Sequence, residues 1–191
     1  MAVDPTGRFV YAINYTSNDI SVYTINQLTG NLTPQATALA GAQPRKIAID
    51  PAGRFAYVIG NEAYVRCLEI NLFNGTLLAV STAPCVGSPD SVTVDPTGRF
   101  VYVSGGSGDN VTAYSINSAT GALTPGTATH ADYSPWCVVA DPSGKFAYTT
   151  NGHANSFSAF SIDQTTGTLT KTQDLATGMR PFDMSILGSA K

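Results

Sequence analysis

The chain has 191 residues, 43% of them hydrophobic and only 12% charged, with a formal net charge of −3. That charged share is about half the usual one; with no basic run, it argues against nucleic acid or an anionic membrane as partner. No apolar stretch approaches the roughly 20 residues needed to span a bilayer, and the opening residues, MAVDPTGRF, read as no signal peptide.

The elements come in a repeat. DPTGRFVY (4–11) returns as DPAGRFAY (50–57), DPTGRFVY (95–102) and DPSGKFAY (141–148), so the leading Asp recurs after 46, 45 and 46 residues. A period in this range signals a propeller, solenoid or array. Each repeat opens with a short apolar run ending in that Asp: KIAID (46–50), SVTVD (91–95), CVVAD (137–141). Asp-Pro-x-Gly then predicts a turn: Pro presets φ, Asp bonds back to the backbone, and Gly supplies a positive φ.

The second strand follows as RFVYAIN (8–14), RFAYVIG (54–60), RFVYVSG (99–105) and KFAYTTN (145–151). Phe and Tyr lie two apart and share a face, while Val or Ala between them faces the other way. Both faces are apolar, as in a sheet packed between two neighbours. The third strand, for example VTAYSIN (111–117), runs into a Thr-Gly or Asn-Gly turn with a hairpin signature. The fourth is the least regular and holds Pro34 and Pro125, which suits an outer edge strand.

Four antiparallel strands in each of four repeats of about 45 residues predict an all-β fold, a β-propeller in part or as a subunit of an assembly. Blades are expected at approximately 1–45, 46–90, 91–136 and 137–181 of a single domain, with a closing or extra inner strand at 182–187. Cys67, Cys85 and Cys137 have the spacing of neither a zinc site nor a redox pair and read as small buried apolar residues. The repeated Asp residues read as turn residues, and no metal or other cofactor is expected.

The Asp-Pro-x-Gly-Arg-Phe-x-Tyr motif and the Thr-Gly-x-Leu turn, both in phase four times, make the chain similar to the lactonase-type (6-phosphogluconolactonase-like) seven-bladed propeller family, close to the YVTN repeats. The resemblance implies hydrolysis or formation of a small sugar-acid lactone, without a cofactor.

A site is sought where the repeats disagree. In a propeller, the loops between blades and between second and third strands share one face, and here they carry the variety. The inter-blade loops QPRK, SPDS, SPWC and RPFD each place one variable residue after a proline: Arg45, Asp90, Trp136 and Phe182. With Arg180 nearby, these are the expected substrate-binding residues at the channel mouth, in positions where many relatives carry His. Lactone ring opening needs an acid or base and a cation for the carboxylate. His153 and Glu62 are the expected acid–base groups, and Arg45 and Arg180 the clamps.

The chain holds four blades where the family has seven. It reads as part of a longer propeller, as half of a two-copy ring or open dimer, or as a lone four-bladed ring; an open arc exposes two apolar faces and so favours self-association. The rival to a lactonase is a non-catalytic binding or scaffold propeller, or an inactive fragment. That rival is extracytoplasmic, the low charge and the Thr- and Asn-rich composition favour it, and a periplasmic or secreted setting is accordingly expected over a cytoplasmic one.

Overall fold

A computed structural model describes residues 1–85, 88–105 and 107–186 and resolves the repeats into four antiparallel sheets. The first sheet runs β1 (Ala2–Val3), β2 (Phe9–Asn14), β3 (Asp19–Ile25) and β4 (Leu32–Pro34), with β5 (Ala38–Leu39) also on β3. The second runs β6 (Lys46–Ile49), β7 (Phe55–Ile59), β8 (Tyr64–Ile70), β9 (Leu77–Pro84). The third is β10 (Pro89–Val94), β11 (Phe100–Gly105), β12 (Asn110–Ile116), β13 (Leu123–His130). The fourth is β14 (Pro135–Ala140), β15 (Phe146–Asn151), β16 (Ser156–Ile162), β17 (Leu169–Ala176). The order within each sheet follows the chain, and the innermost strands of successive sheets are neighbours, which is the blade arrangement of a β-propeller. No helix among the described residues is long and apolar enough to cross a membrane.

The repeated motif builds the joint between first and second strands. Asp95 Oδ1 accepts the backbone N–H groups of Arg99 and Phe100, both at 2.8 Å, while Oδ2 accepts Thr97 N–H at 3.0 Å. Asp141 does the same for Lys145, Phe146 and Ser143. The carboxylates are thus engaged in their own turns. The arginines cover aromatic faces, with Arg8, Arg54 and Arg99 lying 5.0, 5.3 and 5.1 Å from the ring centres of Phe9, Phe55 and Phe100.

The core lies between blades as three clusters, one per blade-to-blade joint. Tyr11, Tyr57 and Tyr102 are fully buried, and Phe9, Phe55 and Phe100 are 3%, 4% and 5% exposed. Each such ring contributes roughly 1.5–3 kcal/mol through burial. The fourth repeat departs: Phe146 is 44% exposed, and no further blade among the described residues lies over it.

Proline shapes the outer edge as expected in the first blade. Pro34 ends β4, and β3 takes up β5 instead, pairing Asp19 with Leu39. The strand expected over 182–187 is not formed. Residues 181–186 pair with no strand, 187 lies outside the described residues, and β1 is the first blade's own inner strand. Among the described residues, no strand lies alongside this segment to pair with it. β10 and β14 begin at Pro89 and Pro135, ahead of the expected blade starts at 91 and 137.

Candidate functional site

Two local devices aim the variable residues. In β10, Pro89 pairs with Gly105 and Ser91 with Ser104, so Asp90 is an extra residue; in β14, Trp136 is extra between Pro135 and Cys137. A bulge of this kind re-aims a side chain at the end of a strand. Arg45 takes the matching place just ahead of β6, its N–H donating to the Ile59 carbonyl at 2.8 Å.

The second device is a strained corner. Gln43, Ser134 and Arg180 each precede a proline and have φ of 45°, 65° and 54°. Left-handed backbone at a non-glycine residue costs of order 1–3 kcal/mol, and persists where neighbours impose it. The neighbour here is the loop between second and third strands. Asn18 Oδ1 accepts Gln43 N–H at 2.7 Å, and Asp109 Oδ1 accepts Ser134 N–H at 2.8 Å. Asn155 Oδ1 accepts Arg180 N–H at 2.8 Å.

Together these place Arg45, Asp90, Trp136 and Phe182 on one cavity of about 730 Å3, with Tyr15, Lys46 and Asp183 also on its wall. Arg45 Nη1 contacts Asp90 Oδ1 at 2.9 Å and donates to Ser88 Oγ at 2.9 Å. Below them runs a polar line from one register position of successive blades. Lys46 Nζ donates to Ser91 Oγ at 2.9 Å and lies 3.6 Å from Cys137 Sγ. Cys137 Sγ donates to Asp183 Oδ1 at 3.2 Å, and that oxygen is 3.9 Å from Lys46 Nζ. The thiol bond, with Met184 N–H and the Lys46 charge, outweighs burial and lowers the Asp183 pKa. Burial raises the pKa of Cys137, so it stands as a thiol and a donor.

The aromatic wall is built on Trp136. Phe182 meets it edge-on at 5.7 Å, His153 at 5.1 Å, and the Arg180 guanidinium lies 5.3 Å from its ring centre. Gly152 makes room: a Cβ there would come closer than 3.0 Å to the indole.

The expected residues therefore divide. Arg45, Asp90, Trp136 and Phe182 line the cavity, and Arg180 reaches it through Trp136. His153 and Glu62 are not among the described residues lining it. His153 packs tilted against Tyr133 and edge-on against Trp136, and Glu62 pairs with Arg66 at 3.8 Å. Sequence reasoning passed over Lys46, Ser91 and Asp183 and read Cys137 only as a small buried apolar residue. The signal was the repeat phase, since each follows directly on a variable residue.

Fold and cavity define part of a β-propeller, four blades with a charged and aromatic cavity at their inner strands. The family model described as lactonase, 7-bladed beta-propeller, matches residues 1–93 and 63–140, and the chain belongs to this family. Among solved structures, it is similar to a candidate 6-phosphogluconolactonase from Bacteroides uniformis, with TM-score 0.86, 19% identity, and 94% of this chain and 55% of that one covered. A second candidate 6-phosphogluconolactonase, from Bacteroides fragilis, gives 0.83 at 21% identity over 94% and 55%. The periplasmic gluconolactonase of Pseudomonas aeruginosa gives 0.76 at 20% identity over 95% and 54%. The chain thus spans about half the length of these structures, and at such identity they show the fold alone. No curated protein sequence matches it.

Proposed function

We propose that this chain carries the ligand-binding mouth of a lactonase-type propeller acting on a small sugar-acid lactone. The observation that carries the reading is the convergence of Arg45, Lys46 and Asp183 on one cavity beside an aromatic wall. Arg45 and Lys46 supply donors for a carboxylate or phosphate. Trp136 and Phe182 offer apolar surface to the sugar's C–H face, and Arg180 adds a cation at the rim.

In hydrolysis, Asp183 takes a proton from water as the water oxygen bonds to the lactone carbonyl carbon. Lys46 donates a hydrogen bond to the carbonyl oxygen as charge builds there. The ring C–O bond then breaks, and the proton passes from Asp183 to the departing ring oxygen, leaving the hydroxy acid. Asp183 takes the base's place because it faces the cavity. His153 remains a rim residue through Trp136, and Glu62 is tied to Arg66.

A second reading, a binding propeller without turnover, is favoured by the internal pairing of Arg45 with Asp90. Acid release from gluconolactone and from its 6-phosphate separates the two. Saturable release by the wild type, reduced 10²-fold or more in Asp183→Asn, is the size of effect expected for a proton-transferring group. Gluconate binding weakened by Lys46→Met, with no acid release, supports the binding reading. Neither release nor binding overturns both. The open blade faces make self-association part of the proposal.

A further inference from the structure

Beyond the cavity, the aromatic wall continues along the joint between the third and fourth blades. From Trp136 it passes to His153, whose ring centre lies 5.1 Å away, and on to Tyr133, a further 5.4 Å and inclined at 35°. Tyr133 is 57% exposed, and His153 is exposed as well. Neither belongs to the repeated frame. Counted along the repeat, Ala42 and Gly87 stand where Tyr133 does, and Glu62 and Ser107 where His153 does. The frame buries its aromatic rings, so a contiguous exposed row is the informative kind of surface.

Two loops hold the row in place. Tyr133 lies between β13 and β14, and His153 between β15 and β16. Gly152 N–H donates to the Ser134 carbonyl at 2.9 Å and Ala154 N–H to the Tyr133 carbonyl at 3.3 Å, so the loops are joined on both sides of His153. Asp132 secures the base, Oδ1 accepting Tyr133 N–H at 2.8 Å and Oδ2 accepting the Ser156 hydroxyl at 2.7 Å. The polar tips are left for a ligand. Among the described residues, none hydrogen-bonds to the Tyr133 hydroxyl, the His153 ring nitrogens or the Arg180 guanidinium. Ring faces with unused donors and acceptors at their rims suit a sugar, which offers C–H groups from its face and hydroxyls from its edge.

From this we infer that the lactone taken by the site carries a second sugar, a glycosyl unit seated on His153 and Tyr133 while the lactone ring lies in the cavity. The inference rests on the lactonase reading above and adds the size of its substrate. The occupant belongs to the same molecule as the lactone, because the row is continuous with the cavity through Trp136, whereas Tyr133 and His153 are not on the cavity wall and a bare aldonolactone there leaves them uncovered. Two rings in a row offer far less area than a stable protein interface needs. Because the loops are already joined, little ordering is left for the ligand to impose.

The test is titration calorimetry with gluconate, cellobionate and maltobionate, beside acid release from the three corresponding lactones. Cellobionate and maltobionate are gluconate with a glucose on the C4 hydroxyl, in the two anomeric linkages. One of them should bind about tenfold tighter than gluconate, or better. Tyr133→Ala should remove most of that advantage and leave gluconate affinity unchanged, while Tyr133→Phe, which keeps the ring, should retain most of it. The side chain is exposed, so both variants should keep the circular dichroism of the wild type. Disaccharide acids that bind no better than gluconate overturn the inference, as does an advantage that survives Tyr133→Ala. In either case, saturable acid release from gluconolactone that Asp183→Asn reduces leaves the lactonase reading standing. Disaccharide binding that Tyr133→Ala abolishes, with no acid release from any of the lactones, supports the sugar row and marks failure of the lactonase reading instead.

Discussion

Asn155 and Arg180 are both left-handed, and the side-chain amide oxygen of the first accepts the backbone N–H of the second at 2.8 Å. This one bond ties the loop at the top of the fourth blade to the corner that delivers Phe182 and the Arg180 guanidinium to Trp136. The first and third blades use the same bond through Asn18 and Asp109. Asn and Asp suit the accepting loop because their short polar side chains tolerate the left-handed region better than other residues with a Cβ.

Removing the bond should loosen the mouth before it unfolds the blade. Asn155→Ala loses a hydrogen bond and places an alanine at positive φ, a combined cost of roughly 2–3 kcal/mol. Asn155→Gly restores the backbone freedom and should recover about half of that. Trp136 is the chain's single tryptophan, so its emission reports the corner directly. Both variants should shift the emission, and urea unfolding should rank them as stated.

Gly152 tests the aromatic wall without touching backbone strain, since its φ is outside the left-handed range. In Gly152→Ala the added methyl collides with the indole. Trp136 is only half-buried, so it should move outward, lose its contact with His153 and red-shift its emission. Overpacking costs of about 1–3 kcal/mol set the upper limit for lost stability. Gluconate affinity should fall in the same variant, as measured by titration calorimetry.

The turn carboxylates predict an acid limit to stability. For Asp4, burial alone would raise the pKa, but hydrogen bonds from Thr6, Phe9 and Arg8 bring it below its ordinary 3.8. Asp141 follows the same pattern through Ser143, Phe146 and Lys145. A group with a depressed folded-state pKa contributes stability that is complete above the unfolded value and is lost as pH falls through the folded one. The urea midpoint should therefore hold between pH 7 and 5 and decline below about pH 4. Asp4→Asn should lower the midpoint at pH 7 and flatten the acid decline, because the amide keeps only one acceptor for bonds that use both oxygens.

The same turns explain what was legible in the sequence. Asp-Pro-x-Gly-Arg-Phe-x-Tyr works locally, within eight residues, so blade number and strand phase could be read from it. The buried Tyr11, Tyr57 and Tyr102 follow from alternation. The mouth was legible to one residue per loop, because Arg45, Asp90, Trp136 and Phe182 differ where the frame repeats. What pattern could not carry is the pairing across blades. Lys46 and Cys137 come together because the inner strands β6 and β14 flank β10, and Asp183 reaches them from the segment after β17. His153 and Glu62 were chosen for their chemistry, and their neighbours in the fold, Trp136 and Arg66, hold them away from the cavity wall. The strand expected at 182–187 was read from likeness to the other inner strands, whereas a strand needs a partner.

Cys137 is positioned to act through Asp183 and is best tested by the titration of that carboxylate. The thiol hydrogen bond is the largest influence holding Asp183 below 3.8. In Cys137→Ala, the Asp183 pKa should rise toward that value; in Cys137→Ser, which keeps a donor, it should remain depressed. Carboxyl carbon NMR of labelled protein reads the shift directly and needs no turnover. If Asp183 is the base, the acid limb of the rate profile should move upward in Cys137→Ala by the same interval, and stay in place in Cys137→Ser. An unmoved titration in the alanine variant would show that the Lys46 charge and the Met184 N–H suffice, and would remove Cys137 from the site. Lys46→Met offers the complementary change: the Asp183 pKa rises as the cation is lost, while the thiol bond at 3.2 Å keeps it from returning fully to 3.8.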